Sequence, residues 1–292
     1  MSDTGSTLPR RQLGRYLIDW RTRAGMSQQR AAELLEIGSS SLQRLERGLN
    51  GRVQVREIQA ACDLYGISDA ESEIVIALAR QANVKTWWYK AADRVPIHFD
   101  GYVKLEAAAV ELRTYQPELI PGLLQTPDYI RGLFTGRPED DAAEYDRWVQ
   151  IKKQRQNNVT RKHRPTDLFA IVSEAALRRV SGSPQVMAAQ LRHLADMSTR
   201  PNINLQVLPF SAGFPRGVSS GPFMILNFGI TATGVPVEPT VVYVEGSTVD
   251  MYLEEPIDVQ RYHDLYTAIE HAALDSVASR DLIRKTAREH AA

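Results

Sequence analysis

Cysteine is nearly absent: Cys62 stands alone among 292 residues. One thiol cannot close an internal disulfide, and the common zinc patterns need further cysteines or paired histidines. Neither a disulfide framework nor a metal centre is expected, and the chain fits a reducing compartment. Long apolar runs are missing too. Nothing approaches the roughly 20 apolar residues of a membrane-crossing helix. The first nine residues, MSDTGSTLP, lack the basic-then-apolar run of a secretory leader. A cytoplasmic protein without membrane contact is expected. The signatures of the common enzymes are absent as well: no Gly-rich phosphate loop, no G-x-S-x-G, no H-E-x-x-H. The histidines are scattered. His263 and His271 lie two turns apart on one predicted helix with nothing between to complete a metal site. Glu245, Glu254 and Glu255 fall near strand ends, where solvation competes with carboxylate chemistry. No enzyme activity, catalytic residue, cofactor or metal is expected.

Net charge is also missing, since 35 basic residues balance 35 acidic ones. The balance hides a split. From Leu8 to Gly66 there are ten arginines and no lysine against six acids, a surplus of +4. A basic head on a mildly acidic remainder suits a polyanionic partner, although a surplus of this size also arises by chance. What the chain does have is apolar mass. Its 43% hydrophobic content over this length supports more than one core.

The periodicity predicts an all-α head over residues 1–83, a linker over 84–98 and an α/β or α+β domain with a mixed sheet over 99–292. In the head, Leu13, Tyr16, Leu17 and Trp20 recur at helical spacing, with Gly25 as a stop. Four more short helices follow, with Ser27 and Ser68 as N-caps. The linker carries Trp87-Trp88-Tyr89, read as interdomain packing or a ligand cage. Beyond it, DGYVKLEAAAVELRTY (100–115) reads as helix throughout, and Thr126-Pro127 caps another. Strand DLFAIV, two helices and strand NINLQVLPF form a β-α-β unit, which implies parallel strands. Three further strands read as antiparallel, and two helices close the chain. The basic run KKQRQNNVTRKHR (152–164) reads as a solvated helix end or a second contact to the polyanionic partner, and PGLLQTP (121–127) as a structural corner or a contact to ligand or partner.

One stretch carries a specific pattern. In QQRAAELLEIGSSSLQRLER, two short helices meet at a tight turn. Ala31, Ala32, Leu35, Ile37, Leu42 and Leu45 are its apolar positions. Ala32 is small where helices would cross, and Ile37 can plug the corner. Leu42 and Leu45 face inward, which leaves Ser39, Ser40, Gln43 and Arg44 outward. Capping of the second helix by one of its three serines competes with an outward contact by those side chains.

This layout resembles the helix-turn-helix of lambda-repressor-like (Xre-family) DNA-binding domains, whose five-helix count also agrees. The resemblance implies a nucleoid-associated transcriptional regulator that binds double-stranded DNA, a homodimer reading a near-palindromic site. It places Ser39, Ser40, Gln43 and Arg44 on base edges in the major groove, and Gln28, Arg30 and Arg47 on phosphates. It implies an ion pair between Arg21 and Glu46. One departure stands out: Glu36 occupies a turn position that usually holds glycine, so either Glu36 takes a left-handed conformation or the turn is reshaped. From about Phe99 the segments YVKLEAAA, PELIPGLLQTPDYIRGLF, VSEAALRR, VMAAQLRHL, NINLQVLPF, GPFMILNF, VVYVEG and YLEE resemble the large C-terminal domain behind such heads in many actinobacterial regulators. Members are often encoded beside a small partner protein, as in toxin–antitoxin pairs. That implies a second domain sensing a partner or ligand or, as the alternative, an antitoxin-type protein that binds DNA for autoregulation.

Overall fold

The structure, a computed structural model, describes residues 8–50, 52–82, 88–90, 97–134, 142–230, 236–246 and 249–292. The chain divides into two compact units, Met1–Tyr89 with Asp93–Gly101, and Lys90–Ala92 with Tyr102–Ala292.

The first unit carries α1 (Leu8–Arg23), α2 (Gln28–Leu34), α3 (Ser39–Glu46), α4 (Val55–Tyr65) and α5 (Asp69–Gln81). Leu13, Tyr16, Leu17 and Trp20 of α1 form the spine of its core. Ala31, Ala32, Leu42, Leu45, Ile58 and Cys62 of the following helices are buried as well. Caps fall where the residue types favour them. Ser27 Oγ accepts from the Arg30 amide, and Ser68 Oγ from the Glu71 amide. Gly14 lets α1 approach the end of α3, since an added Cβ would collide with the Glu46 carbonyl.

The second unit is built on a mixed sheet. Its strands are β2 (Glu111–Gln116), β3 (Asp167–Ser173), β4 (Ile203–Leu208), β5 (Phe223–Asn227), β6 (Val241–Val244) and β7 (Val249–Leu253). Among these six the order is β7-β6-β5-β2-β3-β4; the short strand β1 (Trp88–Lys90) falls at the division between the units. β2, β3 and β4 run parallel, as the β-α-β reading requires, and β5, β6 and β7 continue antiparallel. Tyr266 and Ile269 of α11 (Pro256–Ala272) pack on Tyr115, Ile171, Phe223, Ile225 and Val242. The remaining helices are α6 (Ile97–Ala108), α7 (Pro127–Gly132), α8 (Ala142–Thr160), α9 (Glu174–Arg178), α10 (Pro184–Met197) and α12 (Ser276–Ala291).

The structure corrects three sequence expectations. Residues 100–115 are not one helix: α6 ends at Ala108, and Glu111–Gln116 form a central strand paired on both sides. The run 152–164 is not simply a solvated helix end, because Arg155 is buried and Lys152 half-buried. The three serines of α3 do not cap it; Gly38 is its N-cap, without a side-chain bond. PGLLQTP forms a corner. Leu123 and Leu124 are buried, and Gln190 clamps the segment by accepting from the Thr126 amide (2.6 Å) and donating to the Leu124 carbonyl (2.7 Å). The side chains of Trp87-Trp88-Tyr89 lie outside the described residues.

Candidate nucleic-acid interface

The interface is built from α2, the turn after it and α3. Buried Ala31 and Ala32 meet buried Leu42 and Leu45, with half-buried Ile37 in the turn between. Burying that stripe leaves Ser39, Ser40, Gln43 and Arg44 exposed along one side of α3, with Arg47 exposed at its C-cap. Arg44 makes a long contact from Nη2 to the Leu49 carbonyl, 3.3 Å, which holds its stem without consuming the guanidinium. Gly48, with φ +67°, lets the chain leave α3: Leu49 N–H returns to the Arg44 carbonyl at 2.8 Å.

The turn solves its geometry without glycine. Glu36 takes φ +54°, and Ile37 N–H reaches the Ala32 carbonyl at 3.0 Å, which closes the helix end. Gly38 has ordinary extended φ of −65°, so it begins α3 but does not relieve the turn. A left-handed non-glycine residue costs about 1–2 kcal/mol, partly offset by glycine's greater chain entropy. Glu36→Gly is therefore expected to stabilise the head by about 1 kcal/mol, read as a higher urea midpoint. A lower midpoint would show that Glu36 is not strained.

Arg21 and Glu46 meet, as expected from the resemblance. Arg21 Nε donates to Glu46 Oε1 at 2.6 Å and Nη2 to Oε2 at 3.3 Å, while Nη1 holds the Met26 carbonyl at 2.9 Å. The hydrogen bond to Glu46 holds the Arg21 guanidinium charged, above its usual range. A third partner enters here. Gln28 Nε2 donates to Glu46 Oε2 at 2.8 Å. The side chain expected on a phosphate is thus turned to the ion pair, and three segments of the head are tied to one buried carboxylate. Burial, followed by the charge of Glu46, pushes the nearby Tyr65 hydroxyl up to about 12. Arg30 is exposed and pairs with Glu33 at 3.3 Å, a surface pair of little energetic weight.

The second unit holds a polar centre that sequence reasoning missed. Glu106 is fully buried on α6, and Arg155 of α8 donates to it twice, Nε–Oε1 at 2.9 Å and Nη2–Oε2 at 2.6 Å. Tyr102 Oη donates to the same carboxylate at 2.9 Å, and its ring lies under the Arg155 guanidinium. The only sequence signal was spacing: Lys152, Arg155, Gln156 and Val159 share one face of α8. Among the described residues the histidines do not converge. His263 sits beside Arg113, its imidazole pushed down by burial and by that charge, and His290 contacts the Leu177 carbonyl. Among the described residues no cluster of metal-ligating side chains forms.

Residues 12–73 match a family model described as a helix-turn-helix domain. Residues 99–285 match one described as a domain of unknown function (DUF5753). Comparison with curated proteins found no match. Among the described residues no helix is long and apolar enough to cross a membrane. A helix-turn-helix domain is a DNA-binding module, and its match encloses the Ser39–Arg44 face described above. The second match covers well over half of the 292 residues, so the chain belongs to the DUF5753 family, joined here to an N-terminal helix-turn-helix domain.

Proposed function

We propose that the protein is a sequence-specific transcriptional regulator of the lambda-repressor-like type, a homodimer whose α3 enters the major groove of double-stranded DNA. The observation that carries this reading is the exposed row Ser39, Ser40, Gln43 and Arg44 over the buried Leu42 and Leu45. Arg44 can fork onto a guanine, Gln43 can pair with adenine, and the serines can meet bases or phosphates. Arg30 and Arg47 flank this row and take phosphates. Gln28 reaches a phosphate by leaving Glu46, since its amide cannot serve both at full strength. A dimer sets two such helices about 34–36 Å apart, one turn of the duplex. The protein works in the cytoplasm on the nucleoid. Its C-terminal domain receives a signal and performs no catalysis.

Selection of bound sequences from a random pool, followed by fluorescence anisotropy, tests the reading. Arg44→Ala is expected to lose about 1–3 kcal/mol on the selected site and to relax preference at one position. Gln28→Ala is expected to weaken all sequences alike. Affinity should fall steeply with salt. An Arg44→Ala protein with unchanged affinity and unchanged selected sequence would remove α3 from the groove.

A further inference from the structure

Lys152 and Arg155 turn inward, but the end of the same basic run stays in solvent. Arg161, Lys162, His163 and Arg164 are all exposed on the turn from α8 to β3. The turn is pinned at its base. Thr166 N–H donates to the Asn158 carbonyl at 2.8 Å, and Asn202 Nδ2 donates to the Val159 and Thr166 carbonyls at 3.0 and 2.9 Å. At its tip Arg164 has φ +48°, a left-handed conformation that crowds any residue with a Cβ. Arg161 Nε donates to the Arg164 carbonyl at 2.9 Å, so one arginine braces the backbone that presents the other. Glycine would take this conformation without strain. An arginine there keeps a charge at the tip against the preference of the backbone.

Two further cations adjoin the turn from other segments. Arg200, just after α10, donates from Nη2 to the Thr160 carbonyl at 3.0 Å. Arg280 of α12 donates from Nε to Ser198 Oγ at 2.9 Å and from Nη2 to the Ser198 carbonyl at 3.0 Å. These bonds go to neutral oxygens and leave the charges uncompensated. Among the described residues none of Arg161, Lys162, Arg164, Arg200 and Arg280 has a carboxylate within ion-pair distance. Asp167 comes next along the chain, but it shares a strand face with Phe169, on the side of the sheet that α11 covers. Asp196 and Asp281 are exposed near Arg200 and Arg280 in the sequence, so five cations stand against two acids.

We propose that this corner, the turn 161–164 with Arg200 and Arg280, is a second contact to double-stranded DNA, made to the phosphate backbone without regard to sequence. Its cations are strung over three segments, which suits a line of phosphates better than a single anion. A protein partner would look for an apolar anchor. Among the described residues the exposed phenylalanines, Phe210 and Phe214, follow the opposite end of β4. The identity of the polyanion rests on the DNA reading of the head; the charge of the corner does not.

The full chain is titrated by fluorescence anisotropy onto the selected duplex, a duplex of unrelated sequence and polyglutamate, over a range of salt. Lys162→Ala with Arg164→Gly removes two charges. The glycine also relieves the tip, so the melting temperature is expected to hold or rise. Affinity for both duplexes is expected to fall roughly tenfold or more at about 0.1 M salt, and the slope of log K against log salt to flatten by about 2, close to one per lost phosphate contact. The selected sequence stays the same. Arg216→Gly is the matched control: an exposed arginine at φ +65° within Pro215–Gly217, whose loss is expected to leave affinity and slope unchanged. A wild-type slope in the double variant, or an equal loss per charge in Arg216→Gly, overturns the contact. A loss confined to polyglutamate overturns the choice of DNA. Arg44→Ala, measured alongside, keeps the two contacts apart. If it alone weakens binding, α3 stays in the groove and the second contact falls. If the double variant alone does, the second contact stands without α3. If neither does, both fall.

Discussion

Glu106→Ala is expected to destabilise the C-terminal unit by about 3–5 kcal/mol. The carboxylate is fully buried and receives two hydrogen bonds from Arg155 and one from Tyr102. Burial works against the Arg155 charge, but Glu106 outweighs it by charge and hydrogen bonding, and the guanidinium is held charged above its usual range. Arg155 cannot escape by losing a proton. Without Glu106 it stays a buried cation, and the Tyr102 hydroxyl loses its carboxylate acceptor as well. In a thermal scan this corresponds to a loss of roughly 10 °C for a unit of this size. The double replacement Glu106→Leu with Arg155→Met separates two explanations. If the cost is that of a stranded charge, the apolar pair recovers most of the stability. If the double variant is as unstable as the single one, the ion pair contributes shape that apolar side chains cannot supply.

Glu46→Ala is expected to cost the helix-turn-helix unit about 2–3 kcal/mol. Glu46 is 4% exposed and gathers Arg21 and Gln28. The cost is set below that of Glu106 because the Arg21 side chain is 15% exposed and can recover part of its hydration. The consequence extends to function under the proposed reading. Arg21 belongs to α1, Gln28 opens α2, and Glu46 ends α3, so one carboxylate sets the angle between the two helices of the motif. Its removal should speed hydrogen exchange at the amides of α2 and α3 before those of α4. It should also weaken DNA binding without changing the selected sequence, since no base-facing side chain is lost. Unchanged exchange in α2 and α3 would show that the apolar contacts of Ala32 with Leu42 and Leu45 hold the motif unaided.

The head was legible because its information is local. Helical spacing placed Leu13, Tyr16, Leu17 and Trp20, serines marked two of the caps, and the apolar stripe of α3 left Ser39, Ser40, Gln43 and Arg44 outward without reference to anything distant. Even the strain at Glu36 was readable, as one of two outcomes, from a missing glycine. The β-α-β unit was legible for the same reason, with clear strand runs on either side of helical ones.

What only the tertiary structure decided involves residues far apart in the chain. Glu111–Gln116 follow a helical run directly, and six residues are too few for alternation to override it. β2 is a strand because β3 and β5 supply hydrogen-bond partners on both edges. Lys152 and Arg155 read as solvent-facing because charge is the strongest surface signal a sequence carries. They turn inward because Glu106, 49 residues away, and Gln125, 27 residues away, supply the acceptors that make burial affordable. Gln28 kept its place in the motif but changed partner, since Glu46 offers its amide a charged acceptor that no local pattern reveals. Periodicity reports which face of an element is apolar. Which buried polar group meets which depends on three-dimensional proximity, and that was settled only when the chain closed on itself.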